Sequence, residues 1–171
     1  MWDELAGGAS GESPLWASAL LPPDRWRREA VFSPLAPARH VLGLETIYEG
    51  YLAHNATPRL FAAPDAHASL LLGDYLYAHG LVRVAESGEV AAVADLAELI
   101  SLCAQNRAEG RDGDGAAWAA TAALLATGAL DGPRDRLRLE GEADELERAA
   151  RSAAGDDAVG SALAAHLRLV G

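Results

Sequence analysis

Between Pro64-Asp65 and Ser87-Gly88 the chain carries a long apolar run, and this run most limits what it can fold into. Its centre reads Leu70-Leu71-Leu72-Gly73-Asp74-Tyr75-Leu76-Tyr77-Ala78-His79, with one carboxylate set behind a glycine. A proline and an acid at the start suit a helix N-terminus, and a Ser-Gly pair suits its end. The predicted helix runs to Glu86, with apolar residues on nearly every side, the pattern of a central element. A helix of that kind needs other helices around it. Ala and Leu are abundant while Val and Ile are sparse, and unbranched side chains keep more rotamer freedom in a helix than in a strand. The expected class is all-α, a helical bundle.

With 171 residues, half of them hydrophobic, the chain is long enough for one cooperative core. Residues 1–35 read as an N-terminal arm, because Gly7-Gly8, Gly11, Pro14, Pro22-Pro23 and Pro34 interrupt them. Short helices are expected there over Leu15–Leu21 and Asp24–Phe32, and Trp16, Trp26, Val31 and Phe32 imply an arm that packs on its own core or on another subunit. Residues 36–171 read as the bundle. A helix is predicted over Ala38–His54, with Val41, Leu44, Tyr48, Tyr51 and Leu52 on one face, stopping near Pro58. Glu89–Glu109 follows, with Val93, Leu96, Ile100 and Cys103 on its apolar face. Ala116–Leu130 reads as a small-residue helix, Arg134–Ala153 as one charged surface helix with Leu139 among its apolar positions, and Asp156–Val170 as the last, with Val159, Leu163, Leu167 and Val170 as its buried stripe.

The formal charge is −11, and all 14 basic residues are arginine, spread from Arg25 to Arg168. Such a balance repels nucleic-acid phosphates and anionic lipid. The lone Cys103 has no internal disulfide partner and reads as a small buried hydrophobe. The acidic start Met1-Trp2-Asp3-Glu4 and the lack of an apolar run of ~20 residues imply a cytoplasmic chain without a membrane span. Gly110-Arg111-Asp112-Gly113-Asp114-Gly115 alternates acids with glycine but lacks the closing Glu of an EF-hand, so a solvated turn is expected. Asp156-Asp157 reads as a helix cap. The five histidines form no metal-binding spacing.

The residues with the greatest chemical content are Glu45, Glu49, Arg59 and Asp74. Glu45 and Glu49 share a helix face and repel unless solvated, metal-bound or paired with an arginine such as Arg39 or Arg59. Asp74, inside the apolar run, is expected to be a buried acid bonded to His67, His79, an arginine or backbone.

The order of motifs resembles the trans-isoprenyl (polyprenyl) diphosphate synthases. In that family an apolar helix ends in an Asp-Asp-x-x-Asp cluster, an Arg-Arg-Gly turn follows, and then a Gly-Asp-(Tyr/Phe)-Leu helix. Here the parts read Ile47-Tyr48-Glu49-Gly50-Tyr51-Leu52-Ala53, then Ala56-Thr57-Pro58-Arg59, then Leu72-Gly73-Asp74-Tyr75-Leu76. Leu102 to Glu109-Gly110 is similar to the family's following segment. The resemblance covers under half the chain and implies a truncated isoprenoid-synthase bundle in which Glu45, Glu49, Arg59 and Asp74 stand at a vestigial site. Ionising an allylic diphosphate takes Mg²⁺ held on several carboxylates, and most of those acids are absent, as Gly50 and Ala53 stand among them. The resemblance therefore implies a non-catalytic or regulatory subunit of a polyprenyl diphosphate synthase, with no cofactor of its own and Mg²⁺ only through a catalytic partner. The alternatives are a self-associating helical scaffold, with an apolar isoprenoid as its ligand, and a minimal enzyme whose metal site is built from Glu45, Glu49 and Asp74.

Overall fold

The computed structural model describes residues 1–171 and is all-α. Nine helices follow in order: α1 Trp2–Glu12, α2 Pro14–Ala19, α3 Val41–Asn55, α4 Ala66–Ala85, α5 Val90–Glu109, α6 Asp114–Ala123, α7 Asp131–Glu140, α8 Asp144–Ala154 and α9 Asp156–Val170. No helix is long and apolar enough to cross a membrane.

The tightest contact in the bundle is antiparallel, between α3 and α4, and glycine makes it. Gly43 and Gly50 on α3 face Gly80 and Gly73 on α4. A Cβ on Gly80 would lie 2.9 Å from the Gly43 carbonyl oxygen, and one on Gly50 would lie 2.9 Å from that of Gly73. Real Cβ atoms do not approach so closely, so both positions require glycine for backbone to meet backbone. The main core lies to one side of this pair. Trp118 of α6 stacks on Phe32, with ring centroids 5.7 Å apart, and meets Tyr48 and Tyr51 of α3 edge-on at 5.0 and 5.6 Å. Such aromatic pairs add about 0.5–1.5 kcal/mol each beyond the area they bury.

Around α6, which is buried from Ala116 through Ala122, stand α5, α8 and α9, and its Trp118 reaches α3. This makes α6 the central helix, and α4 is not. The outward side of α4 leaves Leu70, Leu71 and Val82 exposed, because α3, α5 and the arm cover only its other sides. The outward side of α5 continues that surface with Val90, Ala94, Ala97, Ser101 and Ala104, all exposed at steps of three and four.

The arm packs on its own chain. Leu5, Ala6, Ala9, Trp16 and Ala19 form a second core with Leu60, Phe61, Leu72 and Leu76. Gly7-Gly8 and Gly11 lie inside α1 rather than breaking it. At Gly8 a Cβ would fall 2.6 Å from the Arg83 guanidinium and 3.3 Å from the His79 ring, so α1 packs there against side chains of α4. Residues Asp24–Phe32 are not helical apart from one 3₁₀ turn, Pro23–Arg25. They run extended beside the α3–α4 connection, where Arg27 N–H donates to the Arg59 carbonyl.

Three further expectations are corrected. The predicted Arg134–Ala153 helix is two helices, broken where Gly141 takes φ +75°, with Leu139 exposed. Helix α6 ends at Ala123, short of Leu130, in a turn where Ala126 adopts positive φ and donates its N–H to Asp95. On α9 the buried stripe is Val159, Ala162, Ala165 and His166, while Leu167 faces outward.

Candidate functional site

Three of the four sequence-predicted residues meet in one buried cluster. Glu45 and Glu49 are one turn apart on α3, and Arg59 reaches them from the connection to α4; none has any exposed surface. Arg59 Nη1 donates to Glu45 Oε2 at 2.7 Å and Nε to Glu49 Oε2 at 2.9 Å. The same Nη1 donates to the Glu29 carbonyl at 2.7 Å. Two carboxylates against one guanidinium leave an excess negative charge, which neutral donors offset. The Ser33 hydroxyl bonds Glu45 at 2.5 Å and the Leu60 N–H bonds Glu49 at 2.7 Å. The rings of Trp2 and Tyr48 pack on the guanidinium, 4.9 and 5.0 Å from its carbon. Burial by itself would lower the Arg59 pKa, but the two carboxylates outweigh it and hold the group further up than usual.

This arrangement settles what the trio can do. Every polar atom of the guanidinium–carboxylate contact is directed at another, so the cluster is a structural clamp between α3, the connection and the arm. Arg39, the other predicted partner, instead pairs with Glu89, which also meets His40 at 2.9 Å and ties the start of α3 to the start of α5.

Asp74 does not join them, and it is not buried. Its side chain is 66% exposed on the outer side of α4, so no buried partner is required. Neither His67 nor His79 approaches it. His54 Nε2 lies 3.2 Å from Asp74 Oδ1 but is not aligned for a hydrogen bond. The glycine before it has a packing reason: a Cβ on Gly73 would fall 2.4 Å from the His54 ring, which is stacked on Tyr77. A metal site from Glu45, Glu49 and Asp74 is therefore not assembled, and no group of three His, Cys, Asp or Glu side chains is placed to hold a metal ion. Asp156 and Asp157 lie in the first turn of α9 after Gly155, without a side-chain capping bond.

A second polar network, which the sequence reading missed, lies where α3, α5, α6 and α9 converge. Asp114 opens α6 and is only 4% exposed. Its Oδ2 accepts from the Tyr51 hydroxyl at 2.8 Å and from Arg107 Nε at 2.7 Å, and its Oδ1 accepts from Asn106 at 3.1 Å. Arg107 Nη2 closes the ring by donating to the Tyr51 oxygen at 2.6 Å. Beside it the Tyr48 hydroxyl and His166 Nδ1 share a bond of 2.9 Å. Burial pushes both phenols up and drives His166 down to about 4, so the imidazole is neutral at pH 7. Burial likewise raises the Cys103 thiol, which leaves it protonated and inert. The sequence signals were slight: a histidine on the buried stripe of α9, and an Asp inside a Gly/Asp run that otherwise reads as a solvated turn.

The two networks differ in access. The first is sealed, whereas Arg107, Asp114 and His166 line a cleft of about 540 Å³ between the start of α6 and the outer turns of α9. Compared with protein-family models, curated proteins and solved structures, the chain matches none.

Proposed function

We propose that this chain is a non-catalytic helical subunit that acts by assembly, of the kind represented by the small component of a two-component polyprenyl diphosphate synthase. The observation that carries the reading is the state of Glu45, Glu49 and Arg59. Glu49 and Arg59, which the resemblance sets against that family's Asp-rich cluster and arginine pair, are wholly buried and, with Glu45, spent on one another. Ionising an allylic diphosphate needs carboxylates free to bind metal ions, and these are not. The uncovered side of the α4–α5 hairpin supports a role in assembly. It exposes Leu70, Leu71, Val82 and Val90, each by more than half, and an uncharged row of small side chains along α5. Two helices of this length give a face about 30 Å long and ~20 Å wide, comparable to the ~800 Å² per partner of a standard interface.

The partner in this reading is a catalytic synthase chain, which supplies the Mg²⁺ site. A second copy of this chain is the competing occupant, favoured by the absence of charge from the row Ala94, Ala97, Ser101 and Ala104 and opposed by the exposed Asp74 on α4. Co-expression with a synthase bearing both Asp-rich motifs, pull-down and product-length measurement test the first reading. The expected result is a stable complex whose products differ in length from those of the synthase alone. Prenyl transfer by this chain alone with Mg²⁺, an allylic primer and isopentenyl diphosphate would overturn it. A homodimer that ignores the synthase would select the scaffold reading.

A further inference from the structure

The cleft beside His166 is built on three features that no assembly role requires. Helix α6 has Gly113 before its first residue and no side-chain cap, so its first-turn N–H groups, including those of Gly115 and Ala116, are free to meet a ligand. His166 is 3% exposed and uses only Nδ1, on Tyr48. The Cδ2–Nε2 edge of its ring faces Gly115: a Cβ there would lie 3.1 Å from Cδ2 and 3.7 Å from Nε2, and the one hydrogen bond of the ring is that at Nδ1. Leu163, Leu167 and Val170 continue the wall away from this polar end.

We infer that the cleft binds a singly charged carboxylate carrying a short apolar chain, the head on the α6 N-terminus and His166 Nε2, and the tail along α9. Three arguments fix this class. The helix N-terminus contributes partial positive charge and backbone donors, which favour an oxyanion. The Tyr48 hydroxyl has no other acceptor, so it donates to Nδ1 and leaves the proton on Nε2, a neutral donor in the wall of the cleft. Among the side chains that line the cleft, two arginines face three carboxylates, so one negative charge is left over. Arg107 is spent on Asp114, Arg111 pairs with Glu109, and Glu147 pairs with Arg151, leaving Asp112 exposed. Such a mouth accepts one negative charge on directed dipoles but disfavours a dianionic phosphate. The volume lies within the ~300–1,000 Å³ usual for small-molecule sites.

Titrating the full chain with sodium octanoate, followed by calorimetry and amide ¹H–¹⁵N shifts, tests the inference. The expected result is saturable binding at millimolar concentration or below, with the largest shifts at Gly115, Ala116 and His166. Octanol bound as well as octanoate would overturn the role of the oxyanion, and acetate bound as well would overturn that of the tail. Inorganic phosphate bound more tightly, or no saturable binding of octanoate, would overturn the class. Leu167 lines the cleft yet is 65% exposed, so its substitution leaves the core intact. Leu167→Glu is expected to weaken octanoate about tenfold and Leu167→Lys to strengthen it; equal affinities would overturn the site. Gly115→Ala, which fills the cradle, should remove the His166 shift with far-ultraviolet dichroism unchanged; a shift persisting in the folded variant would overturn the head-group placement.

Discussion

Two polar networks hang from the same helix and differ in what surrounds them. Glu45 and Glu49 point from α3 into a space closed by the arm, while Tyr48 and Tyr51 point from another side of the same helix toward the rim of a cleft. The first holds full charges that must be matched internally, so it serves as a clamp. The second is built mostly from neutral hydroxyl and imidazole groups around one ion pair and still has an unused donor. A buried polar cluster is thus read by its unspent valences rather than by its residue types. The charged trio looks more like a site in the sequence and has less left to offer.

The contrast breaks first at Arg59. Arg59→Met leaves two carboxylates buried without a counter-charge and is expected to cost about 3–5 kcal/mol in urea unfolding, if the chain folds at all. A cost below about 1 kcal/mol would mean that the cluster is hydrated and not a clamp. The second network should announce itself through pH. The pKa of His166 falls from about 6.5 when unfolded to about 4 when folded, so its contribution to stability is complete above about 6.5 and is lost as pH falls through about 4. Asp114, which favours protonation, and Arg107, which opposes it, are the charged groups that act on the ring, and burial outweighs both. Comparing wild type with His166→Gln, the difference in unfolding free energy should shift by up to about 3 kcal/mol across that window. A flat difference would place His166 in water.

Smaller effects sharpen the comparison. Gly80→Ala drives a methyl against the Gly43 carbonyl and Ile47, and about 1–3 kcal/mol is expected from thermal unfolding. Gly73→Ala should cost less, because the His54 ring it meets is partly exposed and can swing aside. Equal costs would show that the helix pair, and not His54, sets the limit at both. Asp74→Asn should change stability by less than about 0.5 kcal/mol, as expected of an exposed carboxylate. A larger loss would restore Asp74 to a structural role.

Much of the fold was legible where punctuation and periodicity agree. Asp65 caps α4 by accepting from the Ala68 N–H, Gly110 ends α5 in the left-handed region, and Gly155 begins α9. The failures have physical causes. Gly7-Gly8 and Gly11 read as breakers, yet burial of Leu5, Ala6 and Ala9 in the second core outweighs their low helix propensity. Dense charge between Arg134 and Ala153 concealed a break at Gly141 because both halves are amphipathic. At the site, the need of Glu45 and Glu49 for an arginine was legible, but the closure of the cluster depends on Trp2, which is distant in sequence and packs on the guanidinium. Asp74 was placed wrongly because hydrophobic neighbours along a helix do not ensure burial when one side of that helix is left uncovered.

The ion pairs of the Arg59 clamp are also local along the chain, since the two carboxylates lie only 10 and 14 residues from the arginine. The bonds of the other network reach 63 residues, from Tyr51 to Asp114, and 118, from Tyr48 to His166. Short loops close with less entropy lost, so the helical hairpin around the clamp should form early in folding and the contacts with α9 late. Substitutions that weaken the hairpin should then mainly slow folding, while those at His166 mainly speed unfolding. The end of the molecule that carries the open cleft is accordingly the last to be secured and the first to loosen.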